Sequence, residues 1–232
     1  MPGMTKKLES LLRHAEEFIT NGQSSAEVAE KMAAYGYDDA RWAEGQALLD
    51  AAREQVRANE AAFATQLGKT DAYNAAFDEA WDQAQSLARL CAELFQGQTE
   101  TLRLVGLHAK RDKSTGESEI AWPRQRTLAH FLAWARNLYA TVQKNSEAAA
   151  TLADFGYPAG RLSEEAAEVE AMAQADSQQE IAKAETQQST VERDEAVENL
   201  GVWMRKAETV AKLSLKDKRQ LLELMGLRAQ RR

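Results

Sequence analysis

The side chains with which this chain could do chemistry are few and scattered. His14 and Glu17 are three residues apart, so on a helix they share one face and could offer a metal an imidazole and a carboxylate. Di-iron bundles use the opposite order, Glu-x-x-His, on paired helices with further glutamates. That motif does not occur here, and the residues 120 positions beyond His14 and Glu17 are Trp134 and Asn137. His108 lies beside the basic residues Lys110 and Arg111, His130 has no carboxylate close in sequence, and Cys91 falls inside a helical pattern. None is paired with a nucleophile, and a catalytic site needs polar groups that converge. Gly68-Lys69-Thr70 has the ending of a phosphate-binding loop, but Phe63 stands where that loop needs its first glycine, and a helix precedes it instead of a strand. It reads as a turn between helices. These residues assign no catalytic group, no cofactor and no metal.

What must position them is a unit that occurs twice. Tyr35-Gly36-Tyr37, followed by Arg41 and Glu44, returns 120 residues later as Phe155-Gly156-Tyr157, Arg161 and Glu164. At the same offset Leu104-Val105-Gly106-Leu107 returns as Leu224-Met225-Gly226-Leu227. A fixed period is the mark of an internal repeat. The repeats run over 1–112 and 123–232, with 113–122, including Ser114-Thr115-Gly116, as an exposed linker.

Each repeat reads as helices throughout. Leu8, Leu11, Leu12, Ala15, Phe18 and Ile19 form one apolar stripe from about Thr5 to Thr20. Leu128, Phe131, Leu132, Ala135, Leu138, Tyr139 and Val142 form its counterpart, beginning near Pro123. Ser24 and Glu27 are spaced as a capping box for a second helix, which Gly36 would end in the left-handed conformation. A third helix is expected over about Asp38 to Leu67 and a fourth over about Thr70 to Phe95, folded back as an antiparallel hairpin at Gly68. A brief fifth helix ends at Gly106 or Gly226, the latter capped by Ser214 with Asp217 three residues on.

Phe63, Leu67, Tyr73 and Phe77 would then flank the first hairpin tip, whereas Lys183, Gln187, Arg193 and Val197 hold those places in the second repeat. The four apolar residues are the candidate interaction surface. The pairs Arg41/Glu44 and Arg161/Glu164 are read as structural, with each arginine reaching the carbonyls that end the preceding helix. Trp42, Trp81, Trp122, Trp134 and Trp203 are assigned to core or seam packing. Trp81 and Trp203 are 122 apart, which leaves open a two-residue shift or a lack of equivalence.

Charge narrows the function. A net charge of −7 argues against a general role on nucleic acid or anionic membrane, since phosphate binding needs a positive footprint. Residues 164–198 carry eleven acidic and two basic side chains, and residues 205–232 carry nine basic and three acidic, so docking of the basic tail on the acidic arm is one expectation. No run approaches the roughly 18 apolar residues of a membrane span. One cysteine and no apolar signal core point to a reducing, cytoplasmic setting.

The doubled Gly-Tyr, Arg41 and Glu44 pattern, the long polar hairpin and the Leu-x-Gly-Leu ending resemble a group of uncharacterised bacterial tandem helical-bundle proteins. That resemblance implies architecture alone. The expectation is an all-α protein of two tandem four-to-five-helix bundles arising from internal duplication, each with a long antiparallel helical hairpin. Its expected role is a non-enzymatic interaction or scaffold protein that binds a protein partner or itself, the alternative being a bundle that binds a small apolar ligand.

Overall fold

Leu12, Ala15, Phe18 and Ile19 lie on the buried side of the first helix, α1 (Lys6–Ser24). The computed structural model describes residues 6–111, 118–121 and 127–227. Among these, eight helices account for nearly all regular structure. The exception falls around the expected linker, where β1 (His108–Arg111) pairs antiparallel with β2 (Ser118–Ala121), His108 opposite Ala121. Ser114-Thr115-Gly116, Trp122, Pro123, Arg228, Arg231 and Arg232 lie outside the described residues.

Helix α2 (Ala26–Ala33) is capped one residue later than the capping box suggests. The Ser25 hydroxyl accepts from the Val28 amide, and Ser24 is still part of α1. The second expectation about caps also shifts: Ser214 ends a helix, and α8 (Arg219–Leu224) starts at Lys218 without a side-chain cap. Helix ends behave as anticipated. Gly36 and Gly156 have φ of 84° and 85°. At each, the next residue's amide reaches five back (Tyr37 to Met32, Tyr157 to Leu152) and the glycine amide reaches three back. That is the Schellman arrangement, and the buried Tyr37 and Tyr157 supply its apolar contact.

The hairpin does not exist. Helix α3 (Asp39–Leu94) runs for 56 residues straight through Gly68-Lys69-Thr70. A lone glycine in a helix costs only about 1 kcal/mol relative to alanine, and the surrounding Ala, Gln, Glu and Lys residues outweigh it. Helix α7 (Ala159–Ser214) is also 56 residues long and begins 120 positions after α3. The remaining helices are α4 (Thr99–Leu104), α5 (Leu128–Lys144) and α6 (Ser146–Asp154). Because α4 and α8 also start 120 apart, the offset holds from end to end, and Trp203 corresponds to Gln83 instead of Trp81.

Continuous long helices change which residues share a core. The chain divides into unit 1, Met1–Gln66 with Ala182–Arg232, and unit 2, Leu67–Ile181. These are not the divisions 1–112 and 123–232 read from the repeat. Since α3 does not turn back, its second half carries its apolar stripe to α5 and α6, and the second half of α7 supplies the missing helix beside α1 and α2.

Unit 1 packs Phe18, Ile19, Trp42 and Leu49 against Leu200, Trp203, Met204 and Leu222. Unit 2 packs Leu87, Cys91 and Leu102 against Phe131, Leu138, Leu152 and Leu162. Similar contacts recur at the 120-residue offset. His14 lies against Gly226 in unit 1, and Trp134, its counterpart 120 residues on, lies against Gly106 in unit 2. The Asn21 amide donates to the Leu224 carbonyl, and Thr141, 120 residues on, donates to the Leu104 carbonyl, which Asn137 also reaches. Buried Asn59 donates to Thr190 at 3.0 Å in unit 1, and buried Gln179 donates to Thr70 at 3.1 Å in unit 2. Buried polar pairs of this kind tie each half of α3 to α7 in one register.

Candidate ligand cleft and its counterpart

The turn after Gly36 leads into the first turn of α3, and together they wall a cleft of about 460 Å³ in unit 1. The turn contributes Tyr35, Gly36 and Tyr37; α3 contributes Arg41, Glu44 and Leu48. The opposite wall is one face of α7, with Asn199, Val202, Trp203 and Lys206 at helical spacing. The structure thus gathers the repeated Tyr-Gly-Tyr, Arg41 and Glu44 around one opening. It adds an α7 face of which the sequence singled out only Trp203, as core or seam packing.

The aromatic side is built from large rings. Trp203 meets Tyr37 at 6.0 Å between centroids and Trp42 at 6.2 Å, and Phe18 closes the cluster behind them. Two glycines make room for the indoles. A Cβ at Gly45 would come within 2.3 Å of Trp203, and one at Gly22 equally close to Trp42. Burial raises the Tyr37 phenol above its ordinary range; nearby Arg41 opposes this and Glu44 adds to it. The Trp203 indole N–H is buried without a hydrogen-bond partner, a deficit worth about 1–3 kcal/mol.

Unit 2 treats the same corner differently. Gly45 corresponds to Glu165, which is 4% exposed, and Ile19 corresponds to Tyr139. The Tyr139 hydroxyl donates to Glu165 at 3.0 Å, and Arg161 Nε donates to the same carboxylate at 2.7 Å. Arg161 also reaches the Gly156 carbonyl at 3.1 Å and lies 3.9 Å over the Tyr157 ring. The second arginine therefore closes the preceding helix, as expected, but pairs with Glu165 and not Glu164. Arg41 instead forms an exposed local pair with Glu44 at 2.8 Å. Burial, reinforced by Glu165, pushes the Tyr139 phenol far above its usual range and raises Tyr157 as well.

The remaining sequence candidates lie apart from the cleft. Phe63, Leu67, Tyr73 and Phe77 do not surround a tip, because no tip forms. Tyr73 and Phe77 pack on the unit 2 core, with Phe77 stacked on Trp81 and 5.5 Å from Phe131. Phe63 is half-buried, and Leu67 is exposed. His14 Nε2 lies 3.1 Å from Glu208 of α7 and the ring meets Phe18 edge-on. Among the described residues no cluster of three His, Cys, Asp or Glu side chains forms. Lys69 donates to Gln178, so the would-be phosphate loop is spent on helix pairing. Cys91 is fully buried, and its thiol is pushed up to about 12 by burial. Among the described basic residues of the last segment, Lys212 pairs with Glu208, Arg219 with Glu223, and Lys218 with Glu27. Among the described residues no helix is long and apolar enough to cross a membrane.

Comparison of the chain with protein-family models, with curated proteins and with solved structures gave no match.

Proposed function

We propose that this chain is a non-enzymatic helical interaction protein that presents the same apolar contact position once on each unit. The observation that carries the reading is a matched exposure. Tyr35 and Phe155, each just before the glycine that ends a helix, are 56% and 57% exposed. Leu224 and Leu104, each at the end of a six-residue helix, are 45% and 46% exposed. Large apolar side chains left in water at equivalent places in both units favour a surface that meets another protein or a second copy.

The 120-residue correspondence supports an ancestral bundle that was duplicated, its long helices then exchanged between the copies. A cytoplasmic location agrees with the single buried thiol, and the negative net charge favours a protein over nucleic acid as partner. Sedimentation of the purified chain over a concentration range tests the reading. Association is expected, and Tyr35→Ser with Phe155→Ser should abolish it while helix content stays constant. A monomer at every concentration that retains an extra small mass in native mass spectrometry would favour the ligand-binding alternative instead.

A further inference from the structure

Two packing requirements of unit 1 place a chemically labile pair of residues in the last turn of α1. The Asn21 side-chain amide donates to the Leu224 carbonyl at 2.7 Å and so fastens the end of α8 to α1. Gly22 is buried, and a Cβ there would come within 2.3 Å of the Trp42 ring. One position supplies a donor, and the next has room for no side chain. The result is Asn21-Gly22, the one Asn-Gly sequence in the chain. Unit 2 supplies the donor differently: Thr141 donates to the Leu104 carbonyl at 3.3 Å and is followed by Val142.

In an Asn-Gly pair no Cβ shields the glycine nitrogen, so that nitrogen can attack the asparagine side chain. The Gly22 nitrogen bonds to Asn21 Cγ, the Cγ–Nδ2 bond breaks, and ammonia leaves with the former Gly22 amide proton. Water then opens the cyclic imide on either side of the nitrogen. One opening gives aspartate; the other gives isoaspartate, in which the main chain runs through the former side-chain carbonyl. The attack needs Asn21 out of its helical conformation and its amide off Leu224, so the folded turn opposes it. Either product opposes a return. A carboxylate turns an acceptor toward the Leu224 carbonyl and puts a negative charge in the last turn of α1, where the helix carbonyls repel it. Isoaspartate adds a main-chain carbon to a turn already packed on Trp42.

From this we infer that Asn21 is a self-modification site, closed while α8 is seated on α1 and open when α8 lifts. Once Asn21 has reacted, α8 does not reseat. The site is confined to unit 1 and does not depend on whether the exposed apolar residues meet a partner.

Peptide mass spectrometry on the full-length chain, aged at mildly alkaline pH with and without denaturing urea, tests it. Conversion at Asn21 is expected to be roughly tenfold or more faster in urea. Without urea, Leu222→Ala, which removes a buried side chain of α8, should accelerate it roughly threefold or more, while Asn145-Ser146 in unit 2 keeps its wild-type rate. Asn21→Asp should speed hydrogen exchange of the Met225 and Leu227 amides, which bond back to Leu221 and Leu222. Asn21→Thr, which restores the donor type that unit 2 uses, should leave that exchange as it was. Equal rates with and without urea, or no acceleration in Leu222→Ala although its Met225 and Leu227 amides exchange faster, would overturn the proposal. So would amides as well protected in Asn21→Asp as in the wild-type chain.

Discussion

Tyr37 and Tyr157 follow the same left-handed glycine, yet one is sheltered by an indole and the other by a guanidinium. The difference traces to one position on each long helix. Gly45 leaves room for Trp203, and Glu165 occupies that room with a carboxylate that holds Arg161 and Tyr139. The partner residue changes in step, from Trp203 to Gln83 at the equivalent place. Gly22 with Trp42 against Val142 with Leu162 follows the same rule, a large ring beside a glycine or two middle-sized side chains. One backbone thus supports an aromatic solution and a polar one. Only the polar solution brings its own cation to close the corner.

The largest test of this contrast is Gly45→Leu. A side chain there collides with Trp203, and overpacking a filled core should cost about 3 kcal/mol in chemical denaturation. Adding Trp203→Gly should remove much of that penalty; two strictly additive losses would mean that the indole does not own the space.

The next effect separates the units by pH. Cys91 and Tyr139 both belong to unit 2, and both are held above their ordinary ranges in the folded state. The unfolded chain therefore loses these protons first as pH rises, and stability present below pH 8 drains away toward pH 12. Cys91 alone should account for about 2 kcal/mol between pH 9 and 11, so Cys91→Ala should flatten the fall. A wild-type stability profile that stays level across that range would contradict the buried placement.

Glu165→Gln keeps the shape of the polar solution but removes the charge that fixes Arg161. A loss of about 1–2 kcal/mol is expected, together with greater exposure of Tyr157 to nitration. Gly68→Ala should act in the other direction. The glycine is helical and nothing lies within 4 Å of its missing Cβ, so alanine should raise stability by about 0.5–1 kcal/mol. A destabilised variant would restore the turn that the sequence suggests. The smallest contrast is between the two arginines. Arg161→Ala should lower the melting temperature, and Arg41→Ala, which removes only an exposed local pair, should leave it within experimental scatter.

Much of the helical architecture was legible. Glycines after apolar stripes marked four helix ends correctly, because a left-handed residue is a local requirement that one side chain type meets. At the 120-residue offset α3 and α7, and α4 and α8, begin at matching positions. The path of the long helices was not legible from the reading of one repeat, because Gly68 has the look of a turn. Gln188 at the same place in α7 has no such look, and comparing the two would have argued for continuity. The cleft was half visible. Tyr37, Arg41 and Glu44 stood out by recurrence, but Asn199, Trp203 and Lys206 belong to a segment that reaches them only because the helices do not turn. Local pattern carries no information about that long-range pairing.

The route of the chain also dictates an order of assembly. Unit 2 is one uninterrupted stretch, Leu67–Ile181, whereas unit 1 joins the segments on either side of it. During synthesis the early helices must wait, with their apolar faces unpaired, until residues beyond 182 emerge. Unit 2 can therefore close while the first segment of unit 1 still waits for its second. A nonsense mutation near the C-terminus would strip the N-terminal helices of their partner and leave the centre intact.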